Sequence, residues 1–309
     1  VSIWGQMDKR FLLNARNHFK NLPKLTANRE RYTVIKAPNL REYHTPAFTW
    51  SRKLLNGNFK GIVQANLKNL KAFEQDFGPV QLIHAQVGHP AGNIAHEISR
   101  QTNIPFCITE HYGPFPSPYT TNKQGLLTAF HKAPYQAAAV NIAVSPFQQK
   151  MMEQQGITSI VTIPNFVDEE YFQPTPPLSG KESVLTFFSF TRLVEGKGME
   201  DLLQAAKLLL DKGVEANFRV GGTGQEAEKY RLLAESLGIS KNIMWLGQLS
   251  REEALREYQK CDAFVLPSHY ESFGIVYIEA LACGKPIIAT KCGGPETIVN
   301  ELNGLLVEK

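Results

Sequence analysis

The stretch VLTFFSFTRLVEGKGMEDLLQAAKLLLDKG, Val184–Gly213, reads as a strand, a loop and a helix in immediate succession. VLTFFSF is a short apolar run without polar alternation, the pattern of a strand covered on both faces. GMEDLLQAAKLLLDKG has its apolar positions at helical spacing. One βα unit decides little by itself, but the same alternation recurs along most of the chain. EANFRVGG, NIMWLG, DAFVLPS and KPIIATKCGG read as strands, and EAEKYRLLAESLG and SREEALREYQKC as helices, the latter opened by Ser250 with Glu253 three residues on. Upstream, VQLIHAQ from Val80, PFCITEH ending at His111, VNIAVS and SIVTIPN read as strands. The helices between them are AGNIAHEISRQ, a segment around Gln124–Ala138, and PFQQKMMEQQG with Pro146 in its first turn. Strands alternating with helices predict an α/β protein built on parallel sheets.

The alternation is interrupted by NFVDEEYFQPTPPLSGKES, Asn165–Ser183, a stretch rich in proline and acidic residues that reads as an interdomain linker. The 309 residues suffice for two domains. The predicted organisation is a first domain over 1–165, a linker over 166–183 and a second domain over 184–309, both doubly wound and Rossmann-like, with a cleft between them.

Charge is uneven. Residues 1–80 hold 14 Lys and Arg against 5 Asp and Glu, whereas the whole chain is only +4. A basic front suits an anionic partner such as a phosphorylated acceptor or an anionic membrane surface, or it is a solvated helix face. No aromatic RNA-binding strand and no zinc-finger spacing accompanies it, so nucleic acid is not expected as a partner. No apolar run approaches a membrane span, and no secretory signal opens the chain. Cys107, Cys261, Cys283 and Cys292 form no C-x-x-C pair and read as buried free thiols of a reducing compartment, with a structural zinc site as the alternative. The expected location is cytoplasmic, at most peripheral to the inner face of a membrane.

Ligands of doubly wound sheets bind at the carboxyl ends of strands, where loops lead into helix N-termini. That rule selects a small set. Arg192 and Lys197 follow a strand and precede a helix, and a guanidinium fork and an ammonium there suit phosphate oxygens; two surface cations are the alternative. Gly221, Gly222 and Gly224 in RVGGTGQE let backbone approach a ligand closely, although such glycines occur in any α/β fold. In SHYESFGIVYIEALACGKP, Ser268–Pro286, the strand is expected to end at Pro267 and Gly274 to lie in the first helical turn. The N–H groups near Phe273, Gly274 and Ile275 would then face an anion or sugar hydroxyls. Glu271 either complements the helix N-terminus or contacts a ligand. Glu279 lies among apolar neighbours and needs a buried donor: the two hydroxyls of a ribose would serve, and so would a structural Arg. His111, just past a strand in a Pro- and Gly-rich loop, is a hydrogen-bond or acid/base candidate or a capping residue. His84 and His89 end the preceding strand but carry no metal-ligand spacing.

Together TRLVEGKG, VGGTGQE, ESFGIVYIE with its E-x7-E spacing, and GGPETIVNELNGLLV resemble the retaining glycosyltransferases of the GT-B fold, family 4 (glycosyl transferases group 1). TEHYG is similar to that family's His-bearing loop and IPNFVDEEYF to its domain-crossing segment. The resemblance implies two Rossmann-like domains facing a cleft, a nucleotide-sugar donor and a hydroxyl acceptor (a sugar, glycolipid or polysaccharide of the cell envelope), and no cofactor or metal. It implies that Arg192 and Lys197 bind the donor diphosphate, Glu279 the ribose, and Glu271 the transferred sugar with the backbone of Phe273–Ile275. It likewise places His111 near the sugar 6-hydroxyl and Gly222 at the donor. The family's opening strand and closing helices have no counterpart before Trp4 or after Lys309, so the resemblance also implies a piece lacking both ends. A GT-B sugar-nucleotide epimerase and a nucleotide-sugar-binding module without turnover are the rival readings. A nicotinamide dehydrogenase is disfavoured, because no G-x-G-x-x-G with a downstream ribose-binding acid is present.

Overall fold

The structure, a computed structural model, describes residues 31–47, 58–175 and 184–309, together with the backbone of two short strands at 12–13 and 49–50. The described residues pack into two compact units. The first takes those up to Glu110, Thr120–Asn141 and Ile157–Ser159; the second takes His111–Tyr119, Ile142–Gly156 and those from Ile160 onward.

Strands β1 (Leu12–Leu13), β2 (Tyr32–Ala37), β3 (Leu40–His44) and β4 (Thr49–Trp50) make two small pairs: β1 with β4 in parallel, and β2 with β3 as an antiparallel hairpin. Helix α1 (Phe59–Phe77) follows. The Asn58 side chain accepts from the Gly61 N–H, and Ile62, Val63, Ala65, Asn69 and Ala72 form its buried face. Then come β5 (Ile83–Gln86), α2 (Asn93–Thr102), β6 (Phe106–Glu110), α3 (Ala129–Ala137), β7 (Val140–Ala143), α4 (Pro146–Gln154) and β8 (Ile160–Thr162), the strands lying in the order β5-β6-β7-β8. Every residue of β6 is buried, as an inner strand of a parallel sheet requires.

Several expectations shift here. Strand β5 begins at Ile83 rather than Val80. Helix α3 begins at Ala129, because the Asn122 side chain accepts from the Gln124 and Leu126 N–H groups and holds that segment in a turn. In the segment read as a linker, Asp168 caps a turn that buries Phe172 in the second unit's core. Its Pro-rich remainder, 176–183, lies outside the described residues.

The second unit carries β9 (Leu185–Phe190), α5 (Met199–Asp211), β10 (Ala216–Gly221), α6 (Ala227–Ser236), β11 (Ile243–Gly247), α7 (Arg251–Lys260), β12 (Ala263–Leu266), α8 (Ile275–Ala282), β13 (Ile287–Thr290) and β14 (Gly304–Val307). Its six strands are all parallel in the order β11-β10-β9-β12-β13-β14. Counted within the unit this is 3-2-1-4-5-6, the dinucleotide-binding order, with the reversal between β9 and β12.

Helices cover both faces. Met199, Leu202, Leu203 and Ala206 of α5, with Tyr230 and Ala234 of α6, pack with Phe218, Val220 and Val265. Tyr258 of α7 and Tyr277 and Ala280 of α8 pack with Phe188, Phe264, Leu266 and Ile287 on the other face. Among the described residues no helix is long and apolar enough to cross a membrane, and all four cysteines are buried free thiols.

The loops leaving β9 and β12 touch at backbone level. Gly198 has φ +68°, and a Cβ there would lie 1.7 Å from the Pro267 carbonyl oxygen. The His269 N–H donates to the Gly196 carbonyl at 2.9 Å. A side chain at 198 must therefore push the two loops apart. Gly198→Ala is expected to cost about 3 kcal/mol of unfolding free energy, read as a lower midpoint in urea with an unchanged slope; a loss below about 0.5 kcal/mol would show that the loops yield freely.

Candidate functional site

At the β9/β12 reversal the chain gathers the predicted site residues of the second unit. The Lys197 ammonium lies 2.7 Å from Glu271 Oε1, and the Ser268 hydroxyl donates to the same oxygen at 2.9 Å. The Lys197 and Glu271 side chains are only 26% and 13% exposed, so each charge needs the other. Ser268 is fully buried, and its own carbonyl accepts a hydrogen bond from the Thr290 hydroxyl. The backbone of Glu271 is fixed as well: its carbonyl accepts from the Gly294 N–H at 2.8 Å.

Strand β12 ends at Leu266, not Pro267, and Gly274 stands before α8 as its cap at φ +94° instead of lying in its first turn. No side chain caps α8, so the amides of its first turn have no intrahelical acceptor. Phe273 is buried and Ile275, the first helical residue, is exposed. Both follow Glu271 closely, so the uncapped helix end and the carboxylate belong to one loop.

The loop of His111 packs on this one within the same unit. The Ser272 hydroxyl donates to the Tyr112 carbonyl at 3.0 Å, the Phe115 N–H donates to the Tyr270 hydroxyl at 3.1 Å, and the Ser145 hydroxyl donates to the Ser272 carbonyl at 2.5 Å. His111 itself is exposed, one residue before a carbonyl held by the neighbour of Glu271. His84 and His89 bond to Thr109 and Asn93 inside the first unit.

Arg192 is exposed at the same end of the sheet, and its guanidinium makes no ion pair or hydrogen bond among the described residues. Gly222 has another reason to be glycine than the expected approach to a ligand. With φ +118°, a Cβ there would lie 1.7 Å from the Thr191 carbonyl oxygen, so the close approach is to the chain's own neighbouring loop.

Glu279 projects from α8 toward α7, where the Tyr258 hydroxyl donates to its Oε2 at 2.9 Å. The donor is a tyrosine, not the arginine that was the structural alternative. Burial raises the Glu279 carboxyl above its ordinary value, opposed by the Tyr258 hydrogen bond and by the charge of Arg251. Burial, and then the Glu279 charge, hold the Tyr258 hydroxyl well above the usual phenol range.

Sequence reasoning missed Ser268, Tyr258 and Glu110. The Ser-x-x-Glu spacing from 268 to 271 was an available signal. Tyr258 is one more apolar position of a helix until its hydroxyl is placed. Glu110 ends a buried strand and accepts from the Gly88 N–H at 3.0 Å and from the Tyr135 hydroxyl in the first unit. That unit also holds a cavity of about 650 Å3 beside edge strand β5, lined mainly by aliphatic side chains such as Leu70, Ile94 and Ile98 and free of the donor-site residues. Among the described residues no group of three or more His, Cys, Asp or Glu side chains could hold a metal ion.

Comparison with known proteins places this geometry. The family described as Glycosyltransferase Family 4 matches residues 23–171, and Glycosyl transferases group 1 matches residues 175–309. The D-inositol 3-phosphate glycosyltransferase of Corynebacterium jeikeium is 40% identical over 125 residues, 38% of this chain and 30% of that protein. An uncharacterised glycosyltransferase of Methanocaldococcus jannaschii is 28% identical over 236 residues, 74% of this chain and 62% of that protein. The matches thus span less than two thirds of these curated relatives. Among solved structures, sucrose-phosphate synthase from Thermosynechococcus elongatus superposes with a TM-score of 0.71 at 23% identity, covering 89% of this chain and 72% of that one. Anabaena HepE in complex with UDP gives 0.67 at 22% identity, covering 80% and 69%. The chain belongs to the group 1, family 4 glycosyltransferases and has the GT-B fold.

The raised carboxyl of Glu279 has a stability consequence. Between 4.5 and its raised value, the folded chain keeps a proton that the unfolded chain has released, so stability falls as pH rises through that window. Glu279→Gln, with no charge to desolvate, is expected to melt above the parent at pH 7.5. The difference should shrink as the pH is lowered toward 4.5. A variant that melts lower at pH 7.5 would show the Tyr258 bond to outweigh the burial penalty.

Proposed function

We propose that the chain is the working part of a retaining hexosyltransferase that moves a sugar from a nucleoside diphosphate sugar to a hydroxyl acceptor. The observation that carries this reading is the Lys197–Glu271–Ser268 cluster, set beside the uncapped N-terminus of α8 at the strand-order reversal. The crystallised complexes of HepE with UDP and with UDP-glucose support a nucleotide-sugar donor, and uridine is the first base to test.

In this scheme Arg192 and Lys197 face the diphosphate, with the amides near Phe273–Ile275 adding donors. The diphosphate takes over the Lys197 ammonium from Glu271. That frees the Glu271 carboxylate to accept from hydroxyls of the transferred sugar. His111 contacts the sugar near its 6-hydroxyl, Glu279 accepts from the ribose, and Gly222 keeps the loop after β10 close to the donor. The bond from the anomeric carbon to the diphosphate oxygen breaks, and its electron pair stays on that oxygen, where the cations stabilise it. The acceptor oxygen bonds to the anomeric carbon from the same face, and its proton passes to the departing diphosphate. Configuration is therefore retained without a covalent sugar–enzyme intermediate. The charge that neutralises the leaving group comes from the protein, with no metal ion assigned a part.

The division at 166–183 would separate an acceptor-side domain over 1–165 from a donor domain over 184–309. The basic front, Lys60, Lys68 and Lys71 on the exposed face of α1 among it, favours an anionic acceptor or membrane surface. Polysaccharide or glycolipid synthesis at the cytoplasmic face of the cell envelope is the setting that fits.

A thermal-shift panel of UDP, GDP, ADP and their sugars tests the binding step. One base is expected to raise the melting temperature progressively with concentration, by about 2.7 kcal/mol of stability at a hundred times its dissociation constant. Lys197→Ala and Glu271→Ala should each lower transfer by on the order of 10²-fold or more. Near-normal turnover of either variant would overturn the assignment, and an epimer formed from donor alone would replace transfer by epimerisation.

A further inference from the structure

The reaction described above uses Glu279 but leaves Tyr258 without a task. Tyr258 is completely buried in α7, with its ring against Phe172, Phe188 and Phe264 at centroid distances of 6.0, 5.1 and 5.5 Å. Such a cage leaves the ring no room to shift, so its hydroxyl is a fixed point. The single proton of that hydroxyl goes to Oε2 of Glu279. A carboxylate offers about four acceptor sites on two oxygens. Among the described residues Tyr258 is the one hydrogen-bond partner of the Glu279 carboxylate. The second oxygen of this half-buried carboxylate takes no protein donor among the described residues, which leaves it to accept from a ligand. If the pair were only structural, a neutral acceptor would serve the tyrosine at lower desolvation cost.

We propose that Tyr258 is a positioning residue for donor recognition: its hydroxyl pins Oε2 of Glu279 so that Oε1 meets the 2′- and 3′-hydroxyls of the donor ribose, and the pair thereby sets a preference for ribonucleotides over 2′-deoxyribonucleotides. This rests on the reading that Glu279 binds the ribose. A free glutamate side chain would have to surrender rotamer freedom on binding, and the pin removes that cost in advance. The preference also has a chemical basis. A site whose buried acceptor expects a hydroxyl rejects the analogue that lacks it, because the acceptor is then left unpaired.

The test is a titration of UDP against 2′-deoxy-UDP, with GDP and ADP and their 2′-deoxy counterparts in parallel, for the parent, Tyr258→Phe, Glu279→Gln and the double variant. The readout is the ratio of the two dissociation constants within each protein, so a general loss of stability or of binding cancels. The parent is expected to prefer the ribonucleotide by at least about tenfold. Tyr258→Phe should reduce that preference several-fold, about the worth of one hydrogen bond. Because the tyrosine acts through the glutamate, the double variant should match Glu279→Gln alone.

A Tyr258→Phe protein that weakens both nucleotides equally, or keeps the parent's ratio, overturns the inference while the transferase reading stands. So does a double variant whose ratio falls well below that of Glu279→Gln. If Tyr258→Phe does not fold, Glu279→Gln decides alone, and an unchanged ratio there overturns the proposal. A parent that binds no nucleoside diphosphate removes the underlying donor reading instead.

Discussion

The reversal of strand order between β9 and β12 is the constraint on which the rest depends. Parallel strands on either side of a reversal send their following connections to opposite faces of the sheet. The helices obey this: α5 covers one face and α8 the other. The loops that lead to those helices start side by side and diverge, which is where sheets of this kind bind ligands. Four of the candidate groups come from these two loops: Arg192 and Lys197 from one, Glu271 and the uncapped end of α8 from the other. The glycine at 198 sets how closely the two loops lie, because only a residue without a Cβ lets one backbone rest on the other's carbonyl.

Electrostatics follow from the same geometry. Lys197 and Glu271 are each too buried to stand alone, and pairing satisfies both. The pair is held by a single ammonium–carboxylate contact. A diphosphate with more charge can take the lysine over. Glu279 is a different kind of carboxylate. It has no cation within ion-pairing distance among the described residues, and a tyrosine hydroxyl is its hydrogen-bond donor. The two acids therefore do not act as an acid–base couple. One is arranged around a mobile cation and the other around a fixed neutral donor, which suits two separate grips on one extended ligand.

How much of this could be read in advance depends on the range of the interaction. Helix α5 was legible because Met199, Leu202, Leu203 and Ala206 repeat at the helical period, and α7 because Ser250 and Glu253 exchange the hydrogen bonds of a capping box. The strand ends and the residues placed there follow from local rules of the same kind. What failed involved competition or distance. Asn122 captures two amides that a helix would otherwise use, delaying α3. Phe172 turns part of a Pro-rich, acidic stretch into core, since one buried aromatic outweighs a linker-like composition. Gly222 is a separate case: a glycine's need for space does not say which neighbour approaches, and the Thr191 carbonyl does so here. Tyr258 was invisible for the opposite reason: its period marks it as core, and only the third dimension places its hydroxyl on a carboxylate.

The segment KCGGPET, Lys291–Thr297, shows how residues outside the candidate site hold its loop in place. Glu296 accepts from the Cys292 and Gly293 N–H groups at 3.2 and 2.8 Å and so folds the turn after β13 back on itself. That turn delivers the Gly294 N–H to the Glu271 carbonyl, and the backbone of Phe273 lies so near Gly294 that a Cβ there would come within 2.5 Å of it. One strand earlier, Thr290 holds the Ser268 carbonyl, and Ser268 in turn holds the Glu271 carboxylate. The acidic loop is therefore anchored at both ends to β13 and its turn, by backbone and by side chain. Such a frame suits the exchange of a lysine for sugar hydroxyls proposed for Glu271. The binding energy of a ligand is then not spent on ordering the loop, and only the lysine has to move.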